Sequence, residues 1–507
     1  MSLEFKKLLF QKHKKIVDKI STNDPTITTL TILSNNFLFD YGGIALSIAL
    51  KNNSTLTNID ISYNYIGISG AEALAEVLET NTTLIKLNMS WNEIGDIGAE
   101  AIAKTLKRNT TLTTLNIDWN HIGVEGAIAI GKALKVNKKL KNLNITGNQI
   151  SGYGSEVLTS SLQYNTSLTT LNICYNKISV IKNQTLTKKT TESLINNKTL
   201  TTLNISNNNI GDEGATVIAE VLKNNKHLTE LNISKTKIGV IGIITIAYKL
   251  QINTTLKILN ISDNKIGYKG VQYLAVALEY NTTLTTFDIS YNNIGDIGVQ
   301  YLAKALEYNT TLTTFDISRN LNISIKGVKA LAEALTKNKK SALTTLNIEV
   351  INLDNIGSKV LIKALKDNKH LTTLNINYNN IGDSGTNALA ELLETNTTLK
   401  TINIIGTNIS LEGAQKLAQS LHTNKKSILT TLDISDNNIE NKMKQYIKTL
   451  IGINIDKFYQ ESAIVMNSKQ TTSQSAVLSV LPIDVWIIIF QKLGIIGTQT
   501  FMNAVTT

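Results

Sequence analysis

Leu56-Thr57-Asn58-Ile59-Asp60-Ile61-Ser62-Tyr63-Asn64-Tyr65-Ile66-Gly67 alternates apolar and polar residues as far as Ile61. It then places an asparagine, an isoleucine and a glycine at fixed offsets. The same frame returns every 28 residues at Leu84, Leu112, Leu140 and Leu168. It resumes at Leu200, Leu228, Leu256, Leu284 and Leu312, and continues through Leu343, Leu371, Leu399 and Leu429. A weaker copy begins at Ile27, making 15 in all. A period of this length over so many copies is the mark of a stacked array, and it accounts for a chain of 507 residues, longer than one ordinary core organises.

Each copy has two halves. The alternating part, as in Leu87-Asn88-Met89, has a period of two and reads as a strand with one buried face. The part that follows, as in Ala71-Glu72-Ala73-Leu74-Ala75-Glu76-Val77-Leu78, has helical spacing, and its alanines allow close approach to the strand layer. Gly67 and Gly70 sit where the chain turns, and Asp96 or Ser69 is positioned to cap the adjoining helix. A single copy cannot bury its apolar side, so stacking completes the core. The expectation is an α/β solenoid of about 15 repeats with a curved parallel sheet inside, helices outside and a short helical C-terminal segment. Asn35, Asn64, Asn92, Asn120, Asn148, Asn176, Asn208, Asn264, Asn292, Asn320, Asn379 and Asn437 share one slot, where amides can satisfy buried backbone groups of adjacent copies. Thr236, Ile351 and Thr407 take that slot in three copies and predict local weakness.

This pattern, over residues 27 to about 440, resembles the long, 28-residue type of leucine-rich repeat. That family includes the ribonuclease inhibitor, the GTPase-activating protein of Ran, and the sensor ends of nucleotide-binding innate immune receptors. The resemblance implies protein binding on the concave strand face.

Two steps are long: 32 residues from Leu168 to Leu200, with a Thr- and Lys-rich helix around Ile181 to Ile195, and 31 from Leu312 to Leu343. Both read as joints. Residues 270–292 and 298–320 differ only at Val276/Lys304 and Tyr291/Arg319, which points to recent duplication.

The organisation reads as four parts. Residues 1–26 form a basic N-terminal capping helix, with Phe5, Leu8, Leu9, Ile16 and Ile20 among six lysines; membrane-surface or nucleic-acid contact is its other reading. Residues 27–440 are the solenoid. Residues 441–477 are a C-terminal cap, with a closing helix and strand over 441–455, and a polar linker over Asn467 to Ser475. Residues 478–507 are distinct. There Leu481-Pro482-Ile483-Asp484 opens an apolar helix, Val485-Trp486-Ile487-Ile488-Ile489-Phe490. This segment resembles the first helix of an F-box, and more closely the truncated F-box-like ends of ankyrin-repeat proteins from poxviruses and some intracellular bacteria. The resemblance implies docking to a cullin-complex adaptor through Leu481, Pro482, Val485, Trp486, Ile488, Ile489 and Leu493. A helix folded back on the solenoid, or a self-association helix, is the alternative.

The strand rows are largely repetitive, as in Thr114, Asn116, Thr202, Asn204, Asp288 and Asp316. The residue before the slot asparagine varies: Tyr63, Trp91, Trp119, Gly147 and Tyr175, then Tyr291, Arg319 and Tyr378. Aromatic side chains on a rigid face are typical interface anchors. The main protein-binding patch is therefore expected at Tyr63, Trp91, Trp119 and Tyr175, with Glu93, Asp118 and His121 beside it.

Catalytic readings find little support. The five histidines (His13, His121, His227, His370 and His422) lack metal-ligand spacing, and no Walker phosphate loop is present. Cys174 is the single cysteine, with no evident activating base, so a disulfide scaffold and a cysteine-nucleophile ubiquitin ligase are excluded. The residues of a Ran-type GTPase activator cannot be placed, so that reading ranks last. No cofactor is implied. The net charge of +11 would favour an anionic partner, but the lysines are scattered, so nucleic acid is not expected. The first twenty residues do not read as a signal peptide, and Pro482 and Asp484 interrupt the most apolar run. The expected setting is the cytoplasm, or a host cytoplasm for an exported effector. The many Asn-x-Thr/Ser sequons, such as Asn81-Thr82-Thr83, then read as a by-product of the repeat.

Overall fold

A computed structural model describes residues 18, 20–32, 38–179, 184–424 and 426–453. The chain forms two units, Met1–Asn352 and Leu353–Thr507. In the first, three-residue strands from Thr29–Thr31 to Thr345–Asn347 pair in chain order, each parallel to the next. In the second, Thr373–Asn375, Thr401–Asn403 and Thr431–Asp433 do the same. Helices such as Gly67–Leu78, Gly95–Leu106 and Gly382–Leu393 follow the strands. This is the α/β repeat architecture that the spacing predicts.

The reason is visible in one copy. In the first unit the middle residue of each strand, as in Leu87 or Leu115, is buried against the helix layer, while its neighbours face away from the helices. Each fully buried Leu or Ile contributes about 1.5–3 kcal/mol, and stacking is what buries them. Phe287 and Phe315 replace leucine in two adjacent strands and stack at 6.1 Å between centroids. Both long steps are absorbed outside the strands: Thr170 still pairs with Thr202, and Thr314 with Thr345. In the first of them the helix runs Gln184–Asn196, and residues 180–183 lie outside the described residues.

The slot asparagines form a hydrogen-bonded spine. Asn92 Oδ1 accepts from the backbone N–H groups of Asn64 and Ile66, both at 3.1 Å, while its Nδ2 donates to the Ile61 carbonyl at 2.9 Å. Each asparagine thus ties the turn of the preceding repeat to its own. Asn35 lies outside the described residues. Where threonine takes the slot, only half of this survives. Thr236 N still donates to Asn264 Oδ1 at 3.1 Å, but its hydroxyl donates within its own turn, to the Ile233 carbonyl at 2.7 Å. Thr407 repeats the arrangement with Asn437 and the Ile404 carbonyl. The division between the units falls one residue after Ile351, whose side chain offers no hydrogen-bonding group to the spine.

A second asparagine spine, not anticipated above, runs along the helix ends. Asn109 Nδ2 donates to the Leu78 carbonyl of the previous repeat at 2.7 Å, and its Oδ1 accepts from Leu112 N at 2.8 Å. Asn137, Asn165, Asn225, Asn253, Asn281 and Asn309 repeat it, and Asn424 donates likewise to the Leu393 carbonyl but accepts from Lys426 N. These include sequon asparagines such as Asn109, Asn165 and Asn281, which are buried.

Helix capping needs a correction. Asp96 and Ser69 lie inside their helices, not before them, and the residues preceding those helices, Ile94 and Ile66, make no side-chain cap. Asp96 instead caps the next repeat: its Oδ1 accepts from Gly123 N at 2.7 Å and Gly126 N at 2.9 Å. Asp40, Asp212, Asp296 and Asp383 act the same way on their successors. The stacking distance places a first-turn carboxylate against the neighbouring helix's free amides, which its own geometry cannot reach. Gly67, with φ +67°, does occupy a turn that favours glycine. Gly70 serves another purpose, because an added Cβ would lie 2.6 Å from Ile66 Cγ2.

The closing segment forms a helix over 441–453, with no strand among its described residues. Most of the basic N-terminal stretch lies outside the described residues, as does everything from 454 to 507, including the whole F-box-like segment.

Candidate functional site

The variable slot lies in the turn that leaves each strand, where the backbone is left-handed. Tyr63, Trp91, Trp119 and Tyr175 have φ of 59°, 56°, 51° and 58°. Tyr291, Arg319 and Tyr378 share this conformation. So do Glu93 and His121, two residues beyond their rings. Such a backbone costs a side-chain-bearing residue roughly 1–3 kcal/mol. The slot also admits Gly147, Asn207, Asp263, Gly406 and Asp436, types that tolerate this backbone, and Lys235 and Val350, which gain nothing from it.

The aromatic residues offset that cost by stacking. The Tyr63 and Trp91 rings lie 5.2 Å apart and 12° from parallel; Trp91 and Trp119 lie 4.8 Å apart at 17°. Gly147 then leaves a gap in the row. Trp119 leans across it, so that an added Gly147 Cβ would fall 2.3 Å from its Cε2. The indole thereby reaches Tyr175, two repeats on, at 5.7 Å and 42°. The four expected residues thus form one continuous ladder, about half exposed at Tyr63, Trp91 and Tyr175. Because the inner rings cover one another's faces, the ladder presents mainly ring edges to solvent.

Asp118 lies behind the ladder on the open face of the sheet, where Asn144 Nδ2 donates to its Oδ2 at 3.4 Å. Burial pushes its carboxyl above the ordinary range, and hydrogen bonds from Ser90 and Asn144 only partly reverse this. Glu93 and His121 are exposed on the turns beside the rings. Tyr291 and Arg319 lie farther along the same row of the first unit. Tyr291 is exposed, whereas Arg319 is held by Glu349 at 2.9 Å. Tyr378 belongs to the second unit. It repeats the leaning arrangement over Gly406, with its hydroxyl 3.3 Å from Asp436 Oδ2. Gly147 and Gly406 were not anticipated as site residues; a glycine in a row of rings was the available signal. The C-terminal residues Leu481, Pro482, Val485, Trp486, Ile488, Ile489 and Leu493 lie outside the described residues.

Cys174 is half-buried with its Sγ 3.2 Å from Thr146 Oγ1. Burial pushes its thiol up, against thiolate formation. Among the described residues no group of three His, Cys, Asp or Glu is arranged to hold a metal ion, and no helix is long and apolar enough to cross a membrane.

The Leucine Rich repeat family matches residues 52–75, 80–103, 108–131, 196–219, 224–247, 253–275, 280–303, 308–332, 367–390, 395–418 and 425–442. The chain belongs to the leucine-rich-repeat family. No curated protein matches it. Among solved structures, this leucine-rich-repeat chain is similar to an internalin, InlF, from Listeria monocytogenes, at 23% identity over 74% of this chain and 86% of that one, with a TM-score of 0.41. It is also similar to the actin-binding site 2 of leiomodin-1, at 24% identity over 36% of this chain and 88% of that one, with a TM-score of 0.25.

Proposed function

We propose that this leucine-rich-repeat protein, of the 28-residue type, is a non-enzymatic recognition module. Its strand face and aromatic rim capture a protein target, and its F-box-like C-terminal segment hands that target to a cullin-type ubiquitin ligase. The observation that carries the capture half is the ladder of Tyr63, Trp91, Trp119 and Tyr175. These rings hold an unfavourable backbone conformation on a rigid sheet edge while remaining about half exposed. Rigid aromatic area of this kind is ordered before binding, which lowers the entropic cost of an interface. The adaptor half rests on the Leu481-Pro482-x-Asp484 pattern and the apolar helix after it.

The protein works in a cytoplasm, its own or a host's. The buried sequon asparagines support this placement: Asn109, Asn165 and Asn281 bury the very amide that a glycan would modify.

The deciding experiment measures binding of the full-length protein, and of a truncation ending at Ser475, to a purified cullin-complex adaptor. Micromolar binding that is lost on truncation and on Leu481→Asp supports the ligase-adaptor function. No binding by folded full-length protein removes that function and leaves a recognition module with another use for its tail.

A further inference from the structure

The chain carries a net charge of +11, yet the open face of its first unit has the opposite sign. Three residues of each repeat face away from the helices there: the first and third of the strand, and the one two positions later. From Asn58 to Glu349 these rows hold the carboxylates Asp60, Asp118, Glu230, Asp288, Asp316 and Glu349, against the single cation Lys86. Among the described residues the other lysines lie outside these rows.

Only Glu349 is neutralised, by Arg319 at 2.9 Å. Among the described residues the other five are in no ion pair; their hydrogen bonds come from neutral groups. Ser62 donates to Asp60 at 2.7 Å, Thr202 to Glu230 at 3.3 Å, Ser290 to Asp288 at 2.7 Å and Asn347 to Asp316 at 2.6 Å. Asp118 receives Asn144. Such bonds leave the negative charge in place, and Asp118 Oδ1 is buried without a hydrogen-bond partner. Asp288 and Asp316 are direct partners on adjacent strands, a like-charge juxtaposition that destabilises a sheet. An isolated sheet gains nothing from it, and a cation laid across both strands would relieve it.

We infer that the open strand face of the first unit docks a cationic polypeptide segment, its lysines and arginines meeting these carboxylates and its apolar side chains meeting the aromatic rim. This rests on the reading of that face as the recognition surface, and it names the partner's chemistry. It also reverses the expectation from net charge: nucleic acid and anionic membranes are repelled here, and complementary charge steers basic partners in.

The test uses full-length protein and fluorescein-labelled deca-lysine, followed by anisotropy at low and physiological salt. The wild type should bind, more weakly as salt rises. Combined Asp60→Asn, Asp118→Asn, Glu230→Gln, Asp288→Asn and Asp316→Asn should weaken binding about tenfold or more. Glu72→Gln with Glu100→Gln, on exposed helix positions, should leave it within about twofold. The two-site variant Asp288→Asn/Asp316→Asn, which removes the like-charge pair and preserves shape, gives a partial loss in a protein at least as stable as wild type. Absence of wild-type binding, or equal binding by the five-site variant, overturns the inference, as does an equal loss in the helix variant. Adaptor binding, which uses none of these residues, is measured alongside. Its absence counts against the ligase reading, whereas unchanged deca-lysine binding with adaptor binding intact counts against the charge inference alone.

Discussion

The Trp119 indole occupies the space a side chain at Gly147 would need: an added Cβ would sit 2.3 Å from Cε2 and 2.4 Å from Cδ2. That vacancy lets one ring contact a residue two repeats away, Tyr175. Tyr378 over Gly406 is a second instance, reaching Asp436. The glycine is as much a part of the ladder as the rings.

Gly147→Ala should therefore displace Trp119 and uncouple Tyr175, besides straining a backbone at φ +65°. The expected cost is roughly 1–3 kcal/mol, with blue-shifted or red-shifted tryptophan emission reporting the moved indole. Unchanged emission together with unchanged stability would contradict the packing described. Trp91→Gly with Trp119→Gly should weaken target binding strongly while changing the melting transition little, because the lost stacking is matched by relief of left-handed strain at φ 56° and 51°.

Asp296 gives a signed prediction for pH. Burial raises its carboxyl, but the Ser324 hydroxyl and amide, the Gly327 amide and Lys326 outweigh that and hold it below its ordinary value. A depressed carboxylate stabilises the fold above its unfolded value, near pH 4, and this contribution is lost as pH falls through the folded value. Asp296→Ala should cost about 1 kcal/mol at pH 7, and the gap to wild type should close below about pH 4. Denaturant melts at both pH values provide the check.

The Asn spine predicts opposite effects at two positions. Asn120→Ala removes a side chain that donates to the Met89 carbonyl at 2.8 Å and accepts from Asn92 N at 2.9 Å, at a cost of roughly 3 kcal/mol. Thr236→Asn restores the missing half of the spine and should stabilise by about 1 kcal/mol. Hydrogen exchange at the Asn208 and Ile210 amides should slow in that variant.

Passage through a secretory pathway should be damaging. Glycans added to Asn109 or Asn281 during synthesis would block the amides that donate to Leu78 and Leu250. Secreted material should be glycosylated and poorly folded, and Asn→Gln changes should not rescue it, because the longer side chain misplaces the same amide. Well-folded, glycan-bearing secreted protein would disprove the requirement for these bonds.

Residue order alone was enough for the 28-residue period, the strand–helix alternation, the first asparagine spine and the row of rings. These depend on spacing within one repeat, and the pattern of side-chain types carries that spacing. Capping was not legible, because Asp96 serves Gly123 and Gly126 across the stack, and its partner is set by how one repeat lies on the next. The second spine hid for the same reason: Asn109 is aimed at Leu78, which belongs to another copy. Only stacking reveals that Trp119 crosses Gly147 to meet Tyr175, or that Asp288 and Asp316 stand side by side without a cation between them. Each of these relations joins residues about one or two periods apart. Their distances follow from helix width and strand spacing in the packed array, quantities that no single repeat contains.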